Sequence, residues 1–475
     1  MTAKETVERE LKLAAPDGFE LPDLGGEPLE PRTFTSTYYD TSDHRLARAG
    51  ITLRRRVEKG KGLWQLKLPQ GAARRELEQP GGPAEPPREL ARLLVALTHA
   101  RELSPIAKLR TRRAGFRVAD DGNGKADVVL DSVAVMDARR VVGQFTELEV
   151  ELVEGDEQAL EAISRALRKA GAGKGERRPK VFRVLGLYDD DPAVPADDAA
   201  ALGAMLVRQH QQILANDPGV RLGDDPEAVH RMRVATRRLR AVLRAAAPLL
   251  ERERFERLRG ELEWLAGVLG PVRDLDVLGG YLRTEIARLE PTDEAAAAEL
   301  VERLADECEA AREALFGELA SERYFDLLGV LDDATATPPL VSTGPSLEAI
   351  AGREFAKLRK TILRAGPAPS DEELHRIRIR GKRARYAAEL AEPLAGKPAR
   401  RFVQEAKRFQ DVVGEHQDAV VAEERIRALA GCQKAELAFA AGRLAERQGT
   451  RRAEARAALP RAWARLERRG RRAWA

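Results

Sequence analysis

The sequence predicts an α+β protein: an antiparallel β-barrel followed by an all-α domain built as a duplication. Three observations carry that expectation. Short runs of period two, separated by turn-rich pieces such as QPGGPAEPP (79–87) and DDGNG (120–124), fill residues 1 to about 187. From about residue 198 the chain is rich in Ala, Leu, Arg and Glu with helical periodicity. Within that helical part, two stretches repeat each other at nearly equal spacing.

The first strand sets the pattern. In VERELKL (7–13), Glu8, Glu10 and Lys12 share one face while Val7, Leu11 and Leu13 share the other. The same sorting recurs. Arg54 and Arg56 align in TLRRRV (52–57), Gln65 and Lys67 in WQLKL (64–68), and Lys108, Arg110 and Arg112 in KLRTR (108–112). Asp127 and Asp131 align in DVVLD (127–131), and Glu147, Glu149 and Glu151 in TELEVEL (146–152). A solvated outer face explains any one of these strands. It explains the set less well, because some strands offer only carboxylates and others only bases. A closed antiparallel barrel with a polar lumen and an apolar outside accounts for all of them. Bases in a lumen suit a polyanion. Clustered carboxylates there would repel it unless a hard divalent cation, Mg²⁺ or Mn²⁺, intervened.

This part resembles the CYTH family, the triphosphate tunnel metalloenzymes. Glu8-Arg9-Glu10-Leu11-Lys12 is similar to its E-x-E-x-K signature. YYDTSDHRLARAGITLRRR (38–56), WQLKLP (64–69), LRTRR (109–113), the Glu-x-Glu-x-Glu strand and RPKVFRVLGL (178–187) follow in the family's order. The resemblance implies an eight-stranded tunnel barrel that cleaves or cyclises triphosphate compounds with divalent metal. It implies metal-site acids at Glu8, Glu10, Glu149 and Glu151. It implies phosphate-gripping bases at Lys12, Arg54, Arg56, Lys67, Arg110, Arg112 and Lys180, the last in Pro179-Lys180 where the family usually shows Ser-Lys. Glu147 and Asp131 belong beside them. His44, in the turn motif, reads as structural.

An acidic, Pro-containing linker is expected at 188–199, between domains at 1–187 and 200–475. In the second domain, VHRMRVATRRLRAVLR (229–244) parallels LHRIRIRGKRARYAAE (374–389), and LGPVRDLDV (269–277) parallels VGEHQDAVV (413–421). His230 to Gly270 is 40 residues and His375 to Gly414 is 39. Two related helical bundles, about 200–333 and 346–475, follow. Residues 188–475 carry equal numbers of acids and bases, so any anion site must come from segregation of charge. Segregation is present. His230, Arg233, Arg237, Arg240 and Arg244 form one helical stripe, with no acid from Ala228 to Leu250. His375, Arg378, Lys382 and Arg385 repeat it. Solvated faces normally mix signs to gain i,i+4 pairs, so two acid-free stripes favour an anion site.

This half resembles the CHAD family, through HRMRVATRRLRA (230–241), VRDLDVL (272–278), HRIRIRGKRARYAAEL (375–390) and FQDVVGEHQDAV (409–420). The resemblance implies two pseudo-symmetric four-helix bundles and a basic groove for inorganic polyphosphate. His230, Arg233, Arg237, Arg238, Arg240, His375, Arg378, Lys382 and Arg385 would line it. His416 has no counterpart in the first copy, where Val272 stands.

Bulk properties exclude other classes. The two cysteines, Cys308 and Cys432, make neither a disulfide framework nor a zinc cluster. No apolar run approaches the ~20 residues of a membrane span, and charge from Lys4 onward leaves no signal-peptide core. A cytoplasmic location, polyphosphate granules included, is expected. Few aromatics lie among the bases, so nucleic acid is a poor partner. The leading expectation is a metal-dependent inorganic triphosphatase or polyphosphatase with a polyphosphate-binding module. A class IV-type adenylate cyclase, a thiamine triphosphatase and a non-catalytic polyphosphate scaffold are the alternatives.

Overall fold

Leu11 and Leu13 face out of strand β2 (Glu10–Ala14), and what they meet defines the first half of the molecule. They cluster with Val128 and Leu130 of β8 (Gly124–Asp137), Leu148 and Val150 of β9 (Arg140–Gly155), and Leu160, Ile163 and Leu167 of helix α4 (Glu157–Lys169). A helix of this length is marginal alone. Full burial of each such side chain contributes ~1.5–3 kcal/mol, so packing on the sheet holds α4 in place.

The structure, a computed structural model, describes residues 4–16, 18–70, 73–83, 85–99, 101–120, 124–155, 157–174, 179–187, 194–338, 344–431 and 434–474. Residues 188–193 of the expected linker, and Cys432, lie outside them. The chain divides into two compact units, Met1–Pro192 with Asp217–Leu222, and Ala193–Asn216 with Gly223–Ala475.

The first unit holds one antiparallel sheet in the order β1-β6-β5-β4-β3-β7-β8-β9-β2. The remaining strands are β1 (Lys4–Glu8), β3 (Glu27–Asp40), β4 (Thr52–Glu58), β5 (Lys61–Gln70), β6 (Ala73–Pro80) and β7 (Ser104–Asp120). Eight strands were expected and nine segments are seen among the described residues. The reason is local: β1 pairs with β6 and β2 with β9, and only Arg9 separates them. Even there the Arg9 carbonyl accepts from Leu152 N at 2.9 Å. The first and last strands of the order are thus consecutive pieces of chain, and the sheet curls until they meet.

The turn after β3 is built by Asp40. Its carboxylate accepts from the backbone N–H of Thr41 (2.7 Å), Leu46 (2.9 Å) and Ala47 (3.0 Å), fixing helix α1 (Arg45–Arg48). His44 enters α1 in the left-handed region, φ 57°, where the chain turns. Helices α2 (Arg88–Ala91) and α3 (Val95–Thr98) follow β6. Helix α5 (Lys180–Val184) brings Val181 and Phe182 against Tyr38, Leu109 and Val133.

The second unit is helical. α6 (Asp198–Leu222), α7 (Pro226–Ala245), α8 (Arg252–Ile286), α9 (Pro291–Leu319) and α10 (Glu322–Ala336) make the first copy. α11 (Leu347–Ala365), α12 (Asp371–Ala430) and α13 (Ala435–Ala473) make the second. The count differs from four plus four for two reasons. α12 is two helices joined at Gly396, whose φ of 69° breaks the helix between Pro393 and Pro398. Among the described residues α10 has no counterpart in the second copy. The stripe helices start alike: Asp225 caps α7 and Ser370 caps α12, each five residues before the histidine. Leu282 and Ile286 of α8, Leu300 and Leu304 of α9, Ile426 of α12 and Leu437 and Leu444 of α13 form one cluster, so the copies share a core. Among the described residues no helix is long and apolar enough to cross a membrane.

Candidate active site and anion groove

Because β2 and β9 pair Glu10 with Glu151 and Lys12 with Glu149, the inward residues of both strands stand side by side. The alternation survives the break at Arg9, so Glu8, Glu10 and Lys12 all line one cavity of about 450 Å³. Arg54 and Arg56 of β4, Lys67 of β5, Glu149 and Glu151 of β9 and Lys180 at the start of α5 line it too.

Charge inside is tightly paired. Lys12 Nζ donates to Glu149 Oε1 at 2.9 Å and lies 3.4 Å from Glu147 and 3.7 Å from Glu10. Lys180 Nζ lies 2.6 Å from Asp131, 2.9 Å from Glu147 and 2.9 Å from Glu149. Arg113 donates to Asp131 at 2.7 and 2.8 Å and also to Glu149. Burial alone would raise the Glu149 pKa, but Lys12, Lys180 and Arg113 outweigh it and hold the carboxyl well below the usual range. Lys12 shows the converse: burial would lower its pKa, and Glu149, Glu10 and Glu147 drive it well up.

The acids nearer β1 behave differently. The Glu8 carboxyl is raised, by burial first and then by its hydrogen bond with Glu76, although Lys67 is in contact with it. Glu151 is also raised, by burial first and then by the charge of Glu8. Glu8, Glu10 and Glu151 line the cavity together as hard oxygen donors. That donor chemistry fits Mg²⁺ or Mn²⁺. In the side-chain positions seen, no three such donors converge on one point among the described residues, so metal ligation would require rotation about their side-chain torsions.

In the second unit, α7 and the first half of α12 bring the two stripes together. Among the described residues, a cavity of about 530 Å³ is lined by nine basic side chains, Arg237, Arg240, Arg378 and Lys382 among them, and a single carboxylate, Glu354. The duplication is visible in the pairing. Arg233 lies 3.1 Å from Asp274, and Arg378 lies 4.0 Å from Asp418, the matching residues of the two copies.

Two family models match the chain, the CYTH domain over residues 6–178 and the CHAD domain over 204–427. The uncharacterized proteins Rv2226 and MT2285 of Mycobacterium tuberculosis, from strains H37Rv and CDC 1551, are each 34% identical over 426 residues, covering 82% of this chain and 81% of theirs. The chain belongs to the CYTH–CHAD family. The CHAD domain of the plant Ricinus communis is a structural neighbour at 30% identity and a TM-score of 0.46, covering 58% of this chain and 93% of that one. CYTH members are triphosphatases and cyclases that use divalent metal, which puts the first unit among phosphoryl-transfer domains.

Placement corrects part of the expected CYTH set. Arg110 and Arg112 are exposed on the outer face of β7. The inward parity of that strand is Leu109, Thr111, Arg113 and Arg117, with Leu109 packed among Val181 and Phe182 where the interior is apolar. Arg113 and Arg117 therefore supply the basic charge from β7, and Arg117 is paired to Asp127 at 2.6 Å. Sequence reasoning also missed β6, whose Arg74, Glu76 and Glu78 line the cavity. The signal was there, as Arg-x-Glu-x-Glu.

In the CHAD domain, Arg237, Arg240, Arg378 and Lys382 line the cavity, while His230, Arg233, Arg238, His375 and Arg385 do not. Arg238 follows Arg237 by about 100° of helix rotation. Arg385 is held 2.8 Å from Glu389 and over the Tyr386 ring at 4.4 Å. His375 Nδ1 is 2.9 Å from Gln417 Oε1 on an exposed surface, and His230 is half-buried. His416 is buried with Nε2 3.2 Å from Asp371. Arg353 and Lys357 of α11, four residues apart, were missed and line the cavity.

Proposed function

We propose that the CYTH unit hydrolyses inorganic triphosphate or short polyphosphate with Mg²⁺ or Mn²⁺, and that the CHAD unit binds polyphosphate. One observation carries the first part. The curled sheet reads as an eight-stranded tunnel, in which β9 and β4 lie four strands apart in either direction. Glu149 and Glu151 on one wall face a space whose opposite wall carries Arg54 and Arg56. That separation suits a bound phosphoanhydride chain. Arg54, Arg56 and Lys67 would grip phosphoryl oxygens; Arg54 is already oriented by Gln65 (2.8 Å) and Tyr38 (3.2 Å). Lys12 and Lys180 would neutralise Glu149 and Glu147 until an anion competes for them. Glu8, Glu10, Glu149 and Glu151 would hold the metal, which supplies charge neutralisation at the transferred phosphoryl group.

The test is a substrate panel of tripolyphosphate, long polyphosphate, ATP and thiamine triphosphate, each with Mg²⁺ or Mn²⁺. Metal-dependent phosphate release, fastest from tripolyphosphate, is expected. Cyclic nucleotide from ATP, or a clear preference for thiamine triphosphate, would move the assignment to those reactions, and no turnover of any would favour a binding scaffold.

A further inference from the structure

Within the CHAD cavity the two copies differ at one decisive place. Arg237 and Lys382 are equivalent by the duplication, each four residues beyond an arginine that has an acidic partner, Arg233 with Asp274 and Arg378 with Asp418. Neither Arg237 nor Lys382 has a carboxylate within ion-pair distance among the described residues. Both line the cavity and face one another's charge. An arginine keeps its proton at any working pH; a lysine crowded by arginines does not.

We propose that Lys382 makes anion capture in this groove proton-coupled: a phosphate chain that settles between Arg237 and Lys382 brings one proton with it. The inference rests on the polyphosphate reading of the groove. The surroundings of Lys382 support it. Burial, then Arg237 and Arg378, lower its pKa to about 7, with Arg233 adding to them and Asp418 alone opposing. α11 adds Arg353 and Lys357 to the cavity wall, where Lys357 lies 2.5 Å from Glu354. At pH 8 most free protein therefore holds a neutral Lys382. An arriving phosphate oxygen supplies the missing counter-charge, the ammonium form is restored, and a proton is taken from solvent. By linkage, affinity is greatest below the free pKa and falls as pH rises through it.

The experiment is calorimetric titration of the full chain with long-chain inorganic polyphosphate in EDTA, at pH 8, in Tris and in HEPES. The dependence of apparent enthalpy on buffer ionisation gives the protons taken up. Wild type should take up close to one proton more than Lys382→Arg, and its affinity should fall at least tenfold more between pH 7 and pH 9. Lys382→Arg should still bind, because it keeps the charge. Tight binding with equal proton uptake in both proteins overturns the inference and leaves the groove standing. Failure of wild type to bind at all overturns the groove and the inference together.

Discussion

Lys12 Nζ lies 2.9 Å from Glu149 Oε1, across a register pair of β2 and β9, and Glu149 also accepts from Lys180 and Arg113. Glu149 thus shares three cations with Asp131, Glu147 and Glu10, and removing it breaks one contact to each while those acids remain. Each lost hydrogen bond to a charged group costs ~1.5–3 kcal/mol. Glu149→Ala should therefore lower the unfolding midpoint sharply as well as abolish turnover. Glu149→Gln, which keeps the shape and some hydrogen bonding, should lose turnover with a smaller stability loss. Thermal melts of both check this, and a wild-type melt for Glu149→Ala contradicts it.

The pH dependence of stability has two limbs. Glu149 has a depressed pKa in the folded state, so its contribution is present above the unfolded carboxylate value, ~4.3, and is lost as pH falls through the folded one. Glu8 and Glu151 have raised values, so they weaken the fold at neutral pH and that penalty is relieved as pH drops through their folded values. In EDTA the part of the melting temperature that these two acids control should rise as pH falls from neutrality through their folded values. Glu151→Gln should raise the melting temperature at pH 7.5 and flatten that limb. A variant less stable than wild type at pH 7.5 contradicts the repulsion argument.

Arg110 and Arg112 provide a control on the lumen. Because they point outward, Arg110→Ala and Arg112→Ala should leave tripolyphosphate kcat/KM within about twofold, as most exposed substitutions leave a protein within ~0.5 kcal/mol. Arg56→Ala should cost at least tenfold, mainly in KM, for loss of a charge-assisted contact worth ~1.5–3 kcal/mol. Comparable losses at Arg110 and Arg56 would place β7 in the opposite register.

Charge reversal tests whether the copies share a groove. Arg237→Glu with Arg240→Glu, or Arg378→Glu with Lys382→Glu, all four of which line the cavity, should each weaken long polyphosphate binding well over tenfold, at ~1 kcal/mol per lost contact. Tripolyphosphate hydrolysis should be nearly unchanged, because the CYTH cavity has its own bases. Wild-type binding in either double variant contradicts a shared groove.

Sequence alone revealed the strands whose two faces differ in kind. On β2, β5 and β9 polar or charged residues alternate with apolar ones, and the residues expected to face inward there have the parity seen, as do Arg54 and Arg56 of β4 although Arg55 interrupts its alternation. β7 was ambiguous because it carries bases on both parities, with Arg112 and Arg113 adjacent. Its inward face also begins with Leu109, since that part of the interior is apolar, and alternation cannot reveal where a lumen changes character. In the helices, periodicity found the stripes but not their depth. Arg385 shares a stripe with Lys382 yet finds Glu389 one turn on, a local pairing that takes it out of the groove. The bend at Gly396 lies in EPLAGKPAR (392–400), where Pro393, Gly396 and Pro398 supply the breaker signal.

The most direct measurement compares phosphate release from tripolyphosphate by wild type and Glu10→Gln, with and without Mg²⁺ or Mn²⁺. Glu10 is the cleaner choice of acid, because its nearest base, Lys12, lies 3.7 Å away and keeps Glu149. The account predicts metal-dependent release by wild type and a loss of at least ~100-fold in Glu10→Gln, with the melting temperature little changed. Equal release by the two proteins, or release that ignores metal, would contradict it.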